Sequence, residues 1–198
     1  MIWPFDRNNG PVLQNAGLRL RLPKNADYPA WHSLRTQNRA FLTPFEPTWS
    51  ALDLTSTNFR NKVMASQKIA RKGQEYPFLI FSYDKNSEIL LGGITLSNIR
   101  YRAAQQANLG YWLGQNHTGQ GHMLKATTLC LEFAFKVLNL NRVNAACLPN
   151  NAPSIKVLAA KGFVEEGKAE QFLRINGKFR DHVLFGLTAD RHASFSPN

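Results

Sequence analysis

The segment Gln115-Asn116-His117-Thr118-Gly119-Gln120-Gly121-His122-Met123 has the make-up of a turn that grips an anion. It falls between a predicted strand and a predicted helix, where unsatisfied backbone N–H groups and the helix dipole point at whatever lies in front. Its glycines permit the backbone angles and close approach that wrapping a phosphate requires, and no acid lies within ten residues of either. No third glycine and no Gly-Lys-Ser/Thr follows, which argues against hydride transfer and nucleoside triphosphate hydrolysis. Asn151-Ala152-Pro153-Ser154 opens a second predicted helix and reads as an N-cap pair. Pro44 and Pro47 bracket Phe45-Glu46 in a short, stiff loop that aims a carboxylate in a defined direction. His117 and His122 flank the glycine turn and can lend it charge. Asp181-His182 is accompanied by no Gly-x-Ser-x-Gly elbow or other activated nucleophile, so hydrolase chemistry is not expected and the pair is read as pinning the last hairpin. Cys130 and Cys147 sit in apolar stretches as reduced core thiols, and no Cys/His spacing fits a metal.

The elements around these residues follow from periodicity. Leu18, Leu20 and Leu22 alternate with Arg19 and Arg21, predicting a half-buried strand. Helices are expected from Asp27 to about Leu42 and from Thr55 to Gly73. Tyr76–Tyr83 and Ile89–Ser97 read as a hairpin across Asp84-Lys85-Asn86-Ser87, followed by a strand at Asn108–Leu113. After the glycine turn a helix runs to about Leu138, then a strand at Arg142–Cys147 and a helix from Pro153 to Lys161. Phe163–Lys168, Phe172–Ile175, an Asn176-Gly177 turn and Phe179–Leu187 complete the pattern. Residues 1–16 show no period and read as a loosely held arm; residues 190–198 read as a frayed tail. The order predicts one domain over 1–198, of α+β class, with a mixed sheet between two helical layers.

Composition narrows the function. With 43% hydrophobic and 19% charged residues in 198, the chain has the balance of a folded domain. No apolar run approaches the roughly 20 residues of a bilayer span, and the start lacks a secretory layout, so a cytoplasmic protein is expected. Lys and Arg number 24 against 13 acids, a net +11 that favours polyanionic partners. The 43 residues from Ile89 to Leu131 hold no acid, and the glycine turn lies inside that interval.

Together, Leu109-Gly110-Tyr111-Trp112-Leu113, the Gly119/Gly121 turn and Asn151…Ser154…Lys161-Gly162-Phe163 resemble the acetyl-coenzyme A site of the GNAT N-acetyltransferases, whose element order residues 18–188 follow. Asn38 to Pro47, Leu96-Ser97-Asn98-Ile99 and Ile175 to Leu184 are similar to the bacterial ribosomal-protein alanine N-acetyltransferases of the RimJ type. The resemblance implies a mostly antiparallel sheet with a splayed pair of strands, acetyl-coenzyme A as co-substrate, and no metal. It implies that the amides of Thr118, Gly119, Gln120, Gly121, His122 and Met123 hold the pyrophosphate, and that the strand edge around Trp112 and Leu113 holds the pantetheine. Ser154 would protonate the departing thiolate, with Asn151 orienting it or touching the coenzyme, and Glu46 would take the amine's proton through water. Two positions depart from the family pattern: Thr118 replaces a Gln or Arg, and Met123 a small residue. Because main-chain amides do the binding, these changes are expected to alter shape more than affinity. The Tyr that many relatives carry in the last helix is Leu158 here. The implied acceptor is the N-terminal α-amine of a protein, a ribosomal one beginning in Ala or Ser. A small-molecule amine, or a non-catalytic basic module that binds RNA or the ribosome, are the alternatives. Ribosome or RNA proximity, no membrane, and a monomer or homodimer complete the expectation.

Overall fold

The computed structural model describes residues 5, 6, 10–15, 17–83 and 87–195. In chain order these form β1 (Phe5–Asp6), β2 (Gly10–Asn15), β3 (Leu18–Arg21), α1 (Tyr28–Gln37), α2 (Arg39–Leu42), α3 (Ser56–Arg71), β4 (Tyr76–Tyr83) and β5 (Glu88–Arg100). There follow β6 (Gln106–Leu113), α4 (His122–Glu132), β7 (Arg142–Cys147), α5 (Ala152–Ala159), β8 (Val164–Ile175), β9 (Lys178–Thr188) and α6 (Ala189–Phe195). Among the described residues the strands make one sheet in the order β1-β2-β3-β4-β5-β6-β7-β9-β8. Every ladder is antiparallel except β6 on β7. No described helix is long and apolar enough to cross a membrane.

The three-layer α+β arrangement follows from strands that are apolar on both sides. In β4, Phe78 and Ile80 face one layer while Leu79 and Phe81 face the other. Trp31 of α1 with Phe59 and Val63 of α3 covers Leu79, Phe81 and Leu90. Ala126, Leu129 and Cys130 of α4, with Phe133 just beyond it, lie in the cluster of Leu20, Phe78, Ile80 and Ile94 on the opposite side.

Four local expectations are corrected. Residues 10–15 are not a loose arm: they form β2, paired to β3 from Val12↔Arg21 to Asn15↔Leu18, and Leu13 is fully buried. Pro11 and Gly10 hid the strand, although proline is tolerated near a strand's start. The tail is helical from 189 to 195, held by His192, which is buried and lies 5.0 Å from the Phe135 ring. The helix expected over 27–42 breaks at Asn38, whose φ of −104° and ψ of 12° are non-helical and whose amide bonds the Leu34 carbonyl at 2.8 Å. Phe163–Lys168 and Phe172–Ile175 are one strand, β8, joined across bulges opposite β9. The hairpin turn at Asp84-Lys85-Asn86 lies outside the described residues.

The feature that makes the site is the separation of β6 from β7. They pair only from Gln106↔Arg142 to Leu109↔Ala145. Beyond that, β6 stays on β5 through Leu113 and β7 stays on β9 through Cys147. A wedge therefore opens in the middle of the sheet.

Candidate active site

The wedge has a free main-chain edge. Gly114 N–H donates to the Leu91 carbonyl at 2.9 Å, so Leu113↔Gly92 is a non-hydrogen-bonded pair on the β5 side. By alternation the N–H and C=O groups of Tyr111 and Leu113 face the wedge, while those of Trp112 face β5. Leu113 thus lies on the expected edge; Trp112 contributes its indole instead. A Cβ at Gly92 would collide with the Trp112 carbonyl oxygen and come within 2.9 Å of the Leu113 Cα, so only glycine lets β5 and β6 close there.

At the end of β6 the chain turns through residues 114–121 into α4. Asn38 holds the entrance, its side-chain oxygen accepting the Gln115 N–H at 2.7 Å. Thr118 N–H is committed to the Gln115 carbonyl, and the first helical bond is Lys125 N–H to Gly121 C=O. The amides of Gly119, Gln120, Gly121, His122, Met123 and Leu124 therefore precede the helical ladder. The set lies one residue further along than sequence reasoning placed it. Gly119 and Gly121 take φ of 74° and 76°, and nothing lies within 4 Å of where their Cβ atoms would stand. The concavity is open and positive, as an anion requires. The Gln120 side chain is tied back to the Asn116 carbonyl at 2.7 Å and meets His122 Nε2 at 3.2 Å. Burial, then His117 and Lys125, push the His122 pKa down, so at neutral pH it offers an N–H rather than a full charge. Met123 is buried in the core and supplies only its amide.

On the far side of the wedge, Asn151 caps α5 by accepting the Ser154 N–H at 3.3 Å. Ser154 Oγ lies 2.9 Å from the Tyr111 hydroxyl, which also reaches the Ser154 carbonyl at 3.2 Å. In the sequence Tyr111 is marked only as a strand residue; its bond to Ser154 spans 43 residues and has no local signature. Burial raises the Tyr111 pKa, with the Ser154 bond opposing, so the phenol keeps its proton at neutral pH. Burial also raises the Cys147 thiol against the pull of Ser154, which leaves a neutral thiol beside the cleft rather than a competing nucleophile. Leu158, at the position where many relatives carry Tyr, is core.

Glu46 is placed differently from the expectation. Its carboxylate takes a bidentate bond from Arg35 at 2.7 and 2.5 Å and the Trp49 indole N–H at 2.8 Å. The Arg35 guanidinium lies over both Trp49 and Trp112, at 4.1 and 4.7 Å. Three donors thus occupy the carboxylate, and the assembly props Trp112 from behind. The Glu46 carbonyl accepts the Asn176 N–H at 2.9 Å, tying this loop to the β8–β9 hairpin. Beside that junction lies a cavity of about 520 Å³ walled by Pro44, Leu148, Pro149, Phe179, Arg180 and Asp181. Glu46 does not line it; it lines a smaller one of about 180 Å³. Asp181 does pin the hairpin, accepting the Gln171 N–H at 2.9 Å across a β8 bulge. Among the described residues no three His, Cys, Asp or Glu gather as a metal site.

The family description "Acetyltransferase (GNAT) domain" matches residues 17–164. The chain is 29% identical to the [Ribosomal protein uS5]-alanine N-acetyltransferase of Escherichia coli, over 92% of this chain and 94% of that one. Its fold is similar to the ribosomal-protein-S5-alanine acetyltransferase of Vibrio fischeri, with TM-score 0.83 and 31% identity over 94% of this chain and 99% of the other. It is also similar to Mycobacterium smegmatis RimJ in complex with CoA-disulfide, with TM-score 0.81 and 30% identity over 94% and 93%. The open amide turn and the adjoining wedge fit coenzyme A, the acetyl carrier of these enzymes. The chain belongs to the GNAT acetyltransferase family and is an acetyl-coenzyme A-dependent N-acetyltransferase.

Proposed function

We propose that the acceptor is the N-terminal α-amine of a protein, specifically a ribosomal protein beginning in Ala or Ser, and that the amine attacks the thioester directly. The observation that carries this is a cavity large enough for a peptide end, walled by Leu148, Pro149 and Asn150, which directly follow Cys147 at the end of β7. The relatives named for ribosomal-protein alanine support it. In this reading the chain works near the ribosome in the cytoplasm.

The amides of residues 119–124 and the free edge at Leu113 hold and orient the coenzyme, and the Leu113 N–H faces the oxygen that gains negative charge. Acetyl-coenzyme A supplies an activated acyl group with a thiolate as leaving group. The attacking nitrogen sheds its extra proton to solvent. Ser154 Oγ delivers a proton to that thiolate and is resupplied through Tyr111, which regains its own from solvent, with Asn151 fixing the turn that presents Ser154. A strong base is unnecessary. At a pKa of about 7.7–8.0, roughly 10–15% of an α-amine is already neutral at pH 7, against under about 0.1% of a lysine. That difference, about 3 to 4 kcal/mol, is why Glu46 can serve as a brace for Arg35 and Trp112 rather than as a base. The test is thiol release from acetyl-coenzyme A with Ala- and Ser-initiated peptides, their N-terminally blocked forms, polyamines and aminoglycosides. Turnover confined to free peptide N-termini is expected; turnover confined to small amines overturns the reading.

A further inference from the structure

The acceptor-side cavity has a charge pattern that the acetyl transfer itself does not require. Arg180 lines it, and among the described residues Arg180 has no ion-pair partner. Lys178 lies two residues earlier in β9, exposed and likewise unpaired. Of the neighbouring acids, Glu46 is ion-paired with Arg35 and Glu166 with Arg142, while Asp181 on the cavity wall gives one oxygen to the Gln171 amide and keeps its charge, and Glu170 of β8 is exposed. Phe179, 60% exposed, lines the opening with apolar surface.

We propose that this hairpin reads a carboxylate carried on one of the first few residues behind the acceptor's amino terminus, and that Arg180 is the group that reads it. The proposal rests on the α-amine reading above and names its substrate class: an extended N-terminal peptide with an early Asp or Glu. Register sets the spacing. Val183 pairs with Cys147 at the mouth of the wedge, and Arg180 stands three residues further along β9. At about 3.3 Å per residue that is roughly 10 Å, the length of about three extended peptide residues. A guanidinium there reaches an acidic side chain within about the first four positions, and the planar fork suits a carboxylate. The same charges repel a polycationic amine, which separates this site from one built for polyamines. The overall net charge of +11 adds a field that draws acidic peptides in and weakens with salt.

The experiment measures Kd for Ala-initiated peptides carrying Asp or Lys at positions two to four, titrated onto the coenzyme A-loaded protein, for wild type, Arg180→Gln and Arg180→Glu. Thiol release from acetyl-coenzyme A is read in parallel, and the thermal shift with coenzyme A checks folding. Wild type is expected to favour the Asp peptide about tenfold or more, chiefly at low salt, with the preference lost in R180Q and reversed in R180E. Equal Kd values in wild type, or a preference that survives R180E, overturn the proposal whether or not thiol is released. Selective binding of the Asp peptide without thiol release keeps it and sinks the α-amine reading instead.

Discussion

The two walls of the wedge are built on opposite principles. On the β5–β6 side the groups proposed to meet ligand are main-chain: the Leu113 edge and the amides after Thr118, held by close glycine packing and by Asn38. On the β7–β9–β8 side they are side chains: Ser154, bonded across the wedge to Tyr111 of β6, and Arg180 and Phe179 on an edge hairpin whose strand β8 is largely exposed. A backbone surface tolerates changes of residue type but not of path. A side-chain surface is the reverse. One wall therefore suits the invariant coenzyme and the other an acceptor that differs between relatives.

That contrast breaks most visibly at Gly92. Gly92→Ala forces the Trp112 carbonyl and Leu113 away from β5 and should cost about 3 kcal/mol, roughly 6–12 °C in Tm, with the coenzyme A thermal shift lost. Calorimetry or dye-monitored melting reads both; an unchanged shift would show that β6 need not sit against β5. Across the wedge, Ser154→Ala and Tyr111→Phe should each lower kcat on the order of 10–100-fold while leaving coenzyme Kd unaltered. Their double variant should lose little more than either alone, since they act as one relay. Additive losses would separate them.

Gly119→Ala sharpens the comparison, because a left-handed φ costs a non-glycine residue about 1–2 kcal/mol. Coenzyme A affinity should fall about tenfold by isothermal titration. Gly177→Ala carries the same strain, at φ 79°, in the acceptor hairpin and should leave that affinity alone. The pH profile follows from the acceptor. As pH rises through about 7.7–8.0 the α-amine loses its proton, so kcat/KM climbs and levels off. Burial raises the pKa of Tyr111 above that of ordinary tyrosine, so no falling limb is expected up to about pH 10. A stopped assay from pH 6 to 10 checks both limbs; a decline near pH 9 would implicate another acid. Glu46→Gln should give the smallest kinetic effect, within about threefold in kcat/KM, while lowering stability by about 1–3 kcal/mol through the Arg35 stack. A hundredfold kinetic loss would restore Glu46 as the base.

Main-chain turns leave local sequence traces, which is why the first wall was more legible than the second. The Gly119/Gly121 pair and the alternation of β6 are signals within a short stretch of chain, and on the second wall the Asn151–Ser154 cap is as local. The Tyr111–Ser154 bond, the stack of Trp49, Arg35 and Trp112, and the junction of Glu46 with Asn176 join residues far apart, and nothing in either partner's neighbourhood announces the other. Glu46 was found as a residue in a stiff loop, but Arg35, eleven positions earlier, decides what its carboxylate does. The β2 strand was missed because Gly10 and Pro11 at its start outweighed Val12 and Leu13 in a short window.

The bulges of β8 at Glu165/Gly167 and Ala169/Leu173 bear on solubility as well as on shape. An edge strand with Phe172 and Leu173 exposed on it is a template for stray strands. Two dislocations in one strand, with Glu165, Lys168 and Glu170 among them, deny an incoming chain any long uninterrupted run of amide partners. The interrupted margin discourages growth of a fibril.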